Sequence, residues 1–122
     1  MKILVIDIGG THIKVLATGR KTALKIDSEP EMTPAKMAAD VKAAVAGWNY
    51  DAITFGYPGP IVDHRPSKEP AHLGPGWVEF DFKKAFRKPI KMINDAAMQA
   101  VGSYEGGLML FLGWGTGLCW AL

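Results

Sequence analysis

The first sixteen residues, MKILVIDIGGTHIKVL, constrain the fold more than any other stretch of the chain. Ile3, Leu4, Val5, Ile6 and Ile8 make a largely β-branched apolar run interrupted only by Asp7, which is the pattern of a buried strand. Gly9 and Gly10 turn the chain, and Thr11 to Leu16 reads as a second strand. A Gly-Gly-Thr turn after a buried strand is a good place for a phosphate, because glycine lets backbone N–H groups approach an anion without Cβ interference. Thr11 adds a hydroxyl donor. Asp7 repels a phosphate and instead suits Mg²⁺ held through water. Taken alone, Asp-x-Gly-Gly is equally a tight hairpin with a capping carboxylate.

Beyond this stretch, Lys21 to Asp27 reads as a third strand, with Gly19 at the turn before it and Leu24 and Ile26 on one face. Three strands on short turns make an antiparallel meander. Thr33 and Pro34 fit the N-cap and first helical position of a helix whose apolar stripe is Met37, Val41, Ala44, Val45 and Trp48. Ala52 to Gly56 is a short buried strand, and the helical crossover makes it parallel to the first. It ends in Gly56-Tyr57-Pro58-Gly59-Pro60, at a carboxyl end where α/β proteins place ligands. Residues 61–78 read as a long loop rich in Pro, Gly and His. His64 and His72, without Cys neighbours or a second pair at ligand spacing, do not make a metal site. Asp81 can cap a short helix that buries Phe82 and Phe86, and Pro89 stops it. Ile90 to Ile93 is the next strand, with Asn94-Asp95 at its end; a helix over 96–104 and strands over 108–112 and 118–122 follow.

The element order βββαβαβα is that of the ribonuclease-H-like half of an actin-like ATPase. It predicts an α/β domain with a mixed five-stranded sheet in the order 3-2-1-4-5 and helices on its faces. The chain has 122 residues, enough for one core. Hydrophobic content of 48% suits a soluble globular protein, and a net charge of +2 is too small to argue for nucleic acid. Arg20, Lys21 and Lys25 form one basic cluster and Lys83, Lys84, Arg87 and Lys88 another. Such clusters are ordinarily solvated faces, with polyanion contact as the alternative. The one cysteine, Cys119, allows no internal disulfide and suits a reducing compartment such as the cytoplasm. No run is apolar enough to span a membrane, and no signal peptide precedes the first strand.

Asp7-Ile8-Gly9-Gly10-Thr11 followed by Lys14 resembles the first phosphate motif of the ROK family of sugar kinases. His72 to Trp77 resembles a segment near the sugar in ROK glucokinases, particularly the polyphosphate-using branch. Asn94-Asp95 with its Ala-x-x-Gln-Ala-x-Gly continuation matches the family's sugar motif, and Gly115-Thr116-Gly117 its second phosphate turn. A Rossmann fingerprint is excluded at the last site, because too few residues follow for a helix. The resemblance implies phosphoryl transfer from ATP or polyphosphate to the 6-hydroxyl of glucose or a similar hexose. Asp95 would be the base and Gly59 and Asn94 would hold the sugar. Asp7, Gly9, Gly10, Thr11 and Lys14 would serve phosphate and Mg²⁺, and Gly115, Thr116 and Gly117 the other phosphate turn.

Two departures from the family pattern bear on activity. Residues 1–107 match the first ROK half-domain and residues 108–122 only the first two strands of the second, as a C-terminal β-hairpin. The second domain's sugar ligands, zinc site and adenine pocket have no counterpart here. Half a cleft predicts little or no kinase activity from this chain alone. Trp114, Cys119 and Trp120 are large or unusual beside the phosphate turn. With Leu118 and Leu122 they suggest an alternative: an isolated or engineered, non-catalytic fragment that forms a homodimer through this hairpin. A ribonuclease-H-type nuclease would use Asp7 and Asp95 on two metals, but it leaves the glycine turns unexplained.

Overall fold

A computed structural model describes residues 2–94 apart from 10, 11, 20–22, 29, 30, 64, 71 and 72. Strands β1 (Ile3–Ile8), β2 (His12–Ala17) and β3 (Leu24–Asp27) form the expected antiparallel meander. Helix α1 (Pro34–Ala44) crosses over to β4 (Ala52–Tyr57), which lies parallel to β1. A small hairpin, β5 (Ile61–Val62) with β6 (Arg65–Pro66), comes next, then α2 (Phe82–Phe86) and β7 (Ile90–Asn94), parallel to β4. The main sheet runs β3-β2-β1-β4-β7, which is the predicted 3-2-1-4-5 order counted over its own strands.

Period-2 side-chain alternation decides what each face carries. Leu4, Ile6 and Ile8 stand beside Ile13, Val15 and Ala17 on one side and Ile53 and Phe55 on the other, by register. All are buried in one core with Met37, Val41 and Val45 from the helical side and Phe82, Phe86 and Trp77 from beyond β4. Each fully buried Ile, Leu or Phe contributes about 1.5–3 kcal/mol of transfer free energy. The opposite face carries Val5, Asp7, Lys14 and Thr54. Strand β4, central between two parallel neighbours, is buried along its whole length.

Local signals start both helices. The Thr33 hydroxyl oxygen accepts from the Lys36 N–H at 3.3 Å, and Pro34 occupies the first turn. The Asp81 carboxylate accepts from the Lys84 N–H at 3.0 Å. Phe82 and Phe86 are buried as their spacing requires, both against Phe55.

Three expectations are corrected. The helical stripe does not reach Trp48, because α1 ends at Ala44 and Gly47, at φ +86°, takes the chain out of helical geometry. Trp48 still packs on the core from beyond the helix, but Ala44 is exposed. The loop over 61–78 contains the β5–β6 hairpin, whose two-residue turn has Asp63 at φ 52°, a conformation Asp tolerates. Strand β4 runs one residue further than expected, so Tyr57 is part of the ladder.

Arg87 caps α2 in the left-handed region, φ 55° and ψ 37°, with its N–H donating to the Lys83 carbonyl at 2.7 Å. Glycine adopts this conformation without Cβ strain. Arg87→Gly is therefore expected to raise the unfolding free energy by roughly 0.5–1 kcal/mol in urea denaturation. A loss of stability would mean that the Arg87 side chain contributes more than its backbone costs.

Candidate functional site

The carboxyl ends of β1, β4 and β7 lie side by side, because β4 is parallel to both neighbours. Register places Asp7 next to Gly56, and Gly56 next to Ile93. Strands are spaced about 4.8 Å apart, so Asp7 and the end of β7 are separated by about 10 Å, roughly the span of a small substrate with a phosphate. Asp7 is half-buried and stands directly opposite Lys14, which is exposed on the same face.

The first turn is closed by backbone and side-chain hydrogen bonds at Gly9. Gly9 N–H donates to the His12 carbonyl at 3.0 Å, closing the β1–β2 connection, and the Ser28 hydroxyl donates to the Gly9 carbonyl at 3.0 Å. A Cβ on Gly9 would lie 2.8 Å from the His12 carbonyl oxygen, so the turn admits no side chain there. Gly10 and Thr11 lie outside the described residues.

Gly59 and Asn94 are brought together. The Asn94 Nδ2 donates to the Gly59 carbonyl at 2.7 Å, tying the loop after β4 to the end of β7. Asp95, Gly115, Thr116 and Gly117, the helix over 96–104 and the C-terminal hairpin with Trp114, Cys119 and Trp120 all lie outside the described residues, as do His64 and His72. Among the described residues no three His, Cys, Asp or Glu side chains gather as a metal cluster, and no helix is long and apolar enough to cross a membrane.

The segment after Gly59 is fastened by contacts that local sequence spacing did not indicate. The Glu69 carboxylate accepts from both the Trp77 N–H, at 2.9 Å, and the Val78 N–H, at 3.0 Å. The Tyr57 hydroxyl donates to the Lys68 carbonyl at 2.6 Å. Burial, and secondly the Glu69 carboxylate, push the Tyr57 pKa up, so the hydroxyl keeps the proton it donates. Trp77 is fully buried, with its Nε1 donating to the Met32 carbonyl at 3.2 Å, and Gly74 N–H donates to the same carbonyl at 2.9 Å. The stretch from Gly59 to Val78 is thus a strap held at both ends. Trp77 belongs to the core under the strap and not to a binding surface.

This topology, a mixed sheet in the order β3-β2-β1-β4-β7 with a glycine turn after the first strand, is that of one half of the actin-like ATPase fold. The solved structures that share it include ROK-family proteins. The Lmo2764 protein of Listeria monocytogenes matches with a TM-score of 0.71 and 20% identity, over 90% of this chain and 40% of that one. A ROK family protein from Streptococcus pneumoniae TIGR4, solved in complex with sucrose, matches at 0.66 and 21%, over 84% of this chain and 37% of that one. The ROK hexokinase from Thermus thermophilus matches at 0.64 and 24%, over 85% and 38%. The chain therefore spans about two fifths of the length of these structures. No family model matches the sequence, and no curated protein matches it.

Proposed function

We propose that the chain is the phosphate- and sugar-binding half of a ROK-type sugar kinase, serving transfer of a phosphoryl group to the 6-hydroxyl of glucose or a similar hexose. The observation that carries this reading is the Asn94–Gly59 hydrogen bond, which joins two residues of the sugar motif at one edge of the sheet. Fold likeness to a hexokinase and to a protein solved with sucrose supports it.

The division of labour follows from chemistry. Asp95, following β7, takes the proton from the attacking hydroxyl, and Asn94 and the Gly59 loop orient the ring. The glycine turn at Gly9 and Gly10, with Thr11 and Lys14, holds phosphate oxygens, and Gly115 to Gly117 form the second turn around the donor. The donor is ATP or polyphosphate. A half-buried carboxylate at a strand end suits a largely hydrated Mg²⁺, and Asp7 would hold it through water. When bound, Mg²⁺ neutralises charge on the transferring phosphoryl group.

The test is calorimetric titration of the chain with glucose. Saturable binding is expected, weakened at least about tenfold in Asn94→Ala, because the half-buried amide that ties the Gly59 loop to β7 is lost. Asp95→Ala should weaken it similarly, and Asp7→Ala should weaken Mg·ATP binding while leaving glucose binding intact. Absence of saturable glucose binding, or an unchanged Asn94→Ala, would overturn the sugar-site assignment.

A further inference from the structure

We infer that Tyr57 and Glu69 are positioning residues of the sugar edge: through the strap they set where the Gly59 carbonyl, and with it the Asn94 amide, stands. On the sugar-site assignment above, from which this role follows, neither side chain meets the ligand.

Asn94 is the neighbour of Tyr57 in the β4–β7 ladder, so these two strand ends are fixed side by side. The Gly59 carbonyl has no such support. It lies two residues beyond β4, where loop freedom would otherwise leave it loose. Local contacts hold it instead. The Gly59 N–H donates to the Tyr57 carbonyl at 2.9 Å, a tight turn about Pro58 that folds the loop back on its own strand end. The Tyr57 ring packs directly against Gly59, where a Cβ would stand 2.9 Å from Cε2 and 3.4 Å from Cδ2. The Lys68 carbonyl lies 3.8 Å from the same Cβ position and accepts the Tyr57 hydroxyl at 2.6 Å. Gly59 is therefore seated between the ring and the returning strap.

The returning strap is itself pinned. Ser67 donates twice to the Pro60 carbonyl, from its N–H at 3.0 Å and its hydroxyl at 3.2 Å. Glu69, next to Lys68, accepts from the Trp77 N–H on Oε1 at 2.9 Å and from the Val78 N–H on Oε2 at 3.0 Å. Trp77 is anchored in turn on the Met32 carbonyl, and its ring centre is 6.0 Å from that of Tyr57. Contact thus runs from Met32 through Trp77, Glu69, Lys68 and Tyr57 to Gly59 and Asn94. The charge-assisted pair at Glu69 is its strongest link.

The chemistry of the two side chains fits this role. Tyr57 is fully buried, so its hydroxyl cannot reach a sugar. Phenylalanine would fill nearly the same space without a polar atom to satisfy, and what it would lack is the tie to Lys68. Glu69 is exposed and could be solvated, yet each of its oxygens accepts a backbone N–H of the strap. Groups that orient a substrate need placement within about 0.5 Å, supplied by the bonds behind them. A misplacement of about 1 Å can cost on the order of 100-fold.

Two readouts test this. The first needs no sugar: the Asn94 side-chain amide in heteronuclear NMR spectra. Glu69→Ala and Tyr57→Phe are expected to move its resonances toward those of a solvated amide and to speed its exchange with water. The second is calorimetric titration with glucose. Glu69→Ala should weaken binding about tenfold and Tyr57→Phe several-fold, with Glu69→Gln between parent and Glu69→Ala because it keeps one acceptor. Tyr57→Phe removes one atom and keeps the core filled, so it reports even where Glu69→Ala loosens the fold. Val41→Ala, a core truncation on α1, should lower the urea midpoint without moving either readout, which separates position from stability. An unchanged Asn94 amide in Glu69→Ala and Tyr57→Phe, a shifted amide with unchanged glucose affinity, or equal weakening by Val41→Ala would each overturn the positioning role. A parent chain that binds no glucose would overturn the sugar-site assignment alone, and the amide shift then decides by itself whether the clasp sets Asn94.

Discussion

Trp77→Ala is expected to lower the unfolding free energy by about 3–5 kcal/mol. That is a large share of the roughly 5–15 kcal/mol that holds a typical domain folded. The indole is fully buried, with ring centres 6.0 Å from Tyr57 and 6.2 Å from Phe82, so its removal empties a space between the strap and the sheet. It also removes the Nε1 hydrogen bond to the Met32 carbonyl. That carbonyl keeps the Gly74 N–H, so the dominant loss is packing and not an orphaned acceptor. Trp77→Phe should accordingly cost distinctly less than Trp77→Ala. Urea denaturation followed by far-ultraviolet circular dichroism measures both. A change under about 1 kcal/mol for alanine would mean that the site collapses around the gap.

Gly74→Ala should have an effect nearly as large, about 2–3 kcal/mol, through overpacking. A Cβ at this position would fall within van der Waals contact of the Glu31 carbonyl oxygen, 2.9 Å from the Glu31 carbonyl carbon and 3.2 Å from the Met32 carbonyl oxygen. All three are backbone atoms, so no side chain can rotate out of the way. Either the strap lifts or residues 31 and 32 move, and the Gly74–Met32 hydrogen bond breaks in both cases. The same denaturation experiment, with a fall in the urea midpoint at unchanged slope, checks it. Gly74 and Trp77 share the Met32 carbonyl, so the double variant should cost less than the sum of the single ones.

These two residues also mark where sequence reasoning stopped. Trp77 stood out only as part of a segment resembling one near the sugar, yet its side chain is core. An indole in a Pro- and Gly-rich stretch carries no periodicity, so nothing local indicates which way it faces. Glu69 carried no signal at all. It sits eight and nine residues from the N–H groups it accepts, a spacing that belongs to no helix, strand or turn pattern. The end of α1 was misjudged for a related reason. Ala44 and Trp48 fit the stripe, but Gly47 and the core beneath Trp48 place them differently.

By itself the sequence determined the strands of the main sheet, the helix starts and the strand order. Alternating Ile and Val in β1 and β2, Thr33 and Asp81 as caps, and the helical crossover into a parallel β4 act over a few residues or through simple chain geometry. Asp7 and the Gly9 turn were legible for the same reason, since a strand followed at once by glycine is a local statement. Only the tertiary structure decided that the Gly59 carbonyl meets Asn94 across 35 residues and that Trp77 reaches Met32 across 45. Those contacts depend on the register of β4 against β7 and on how the strap closes over the core. Many distant side chains set that geometry together, and no window of neighbouring residues encodes it.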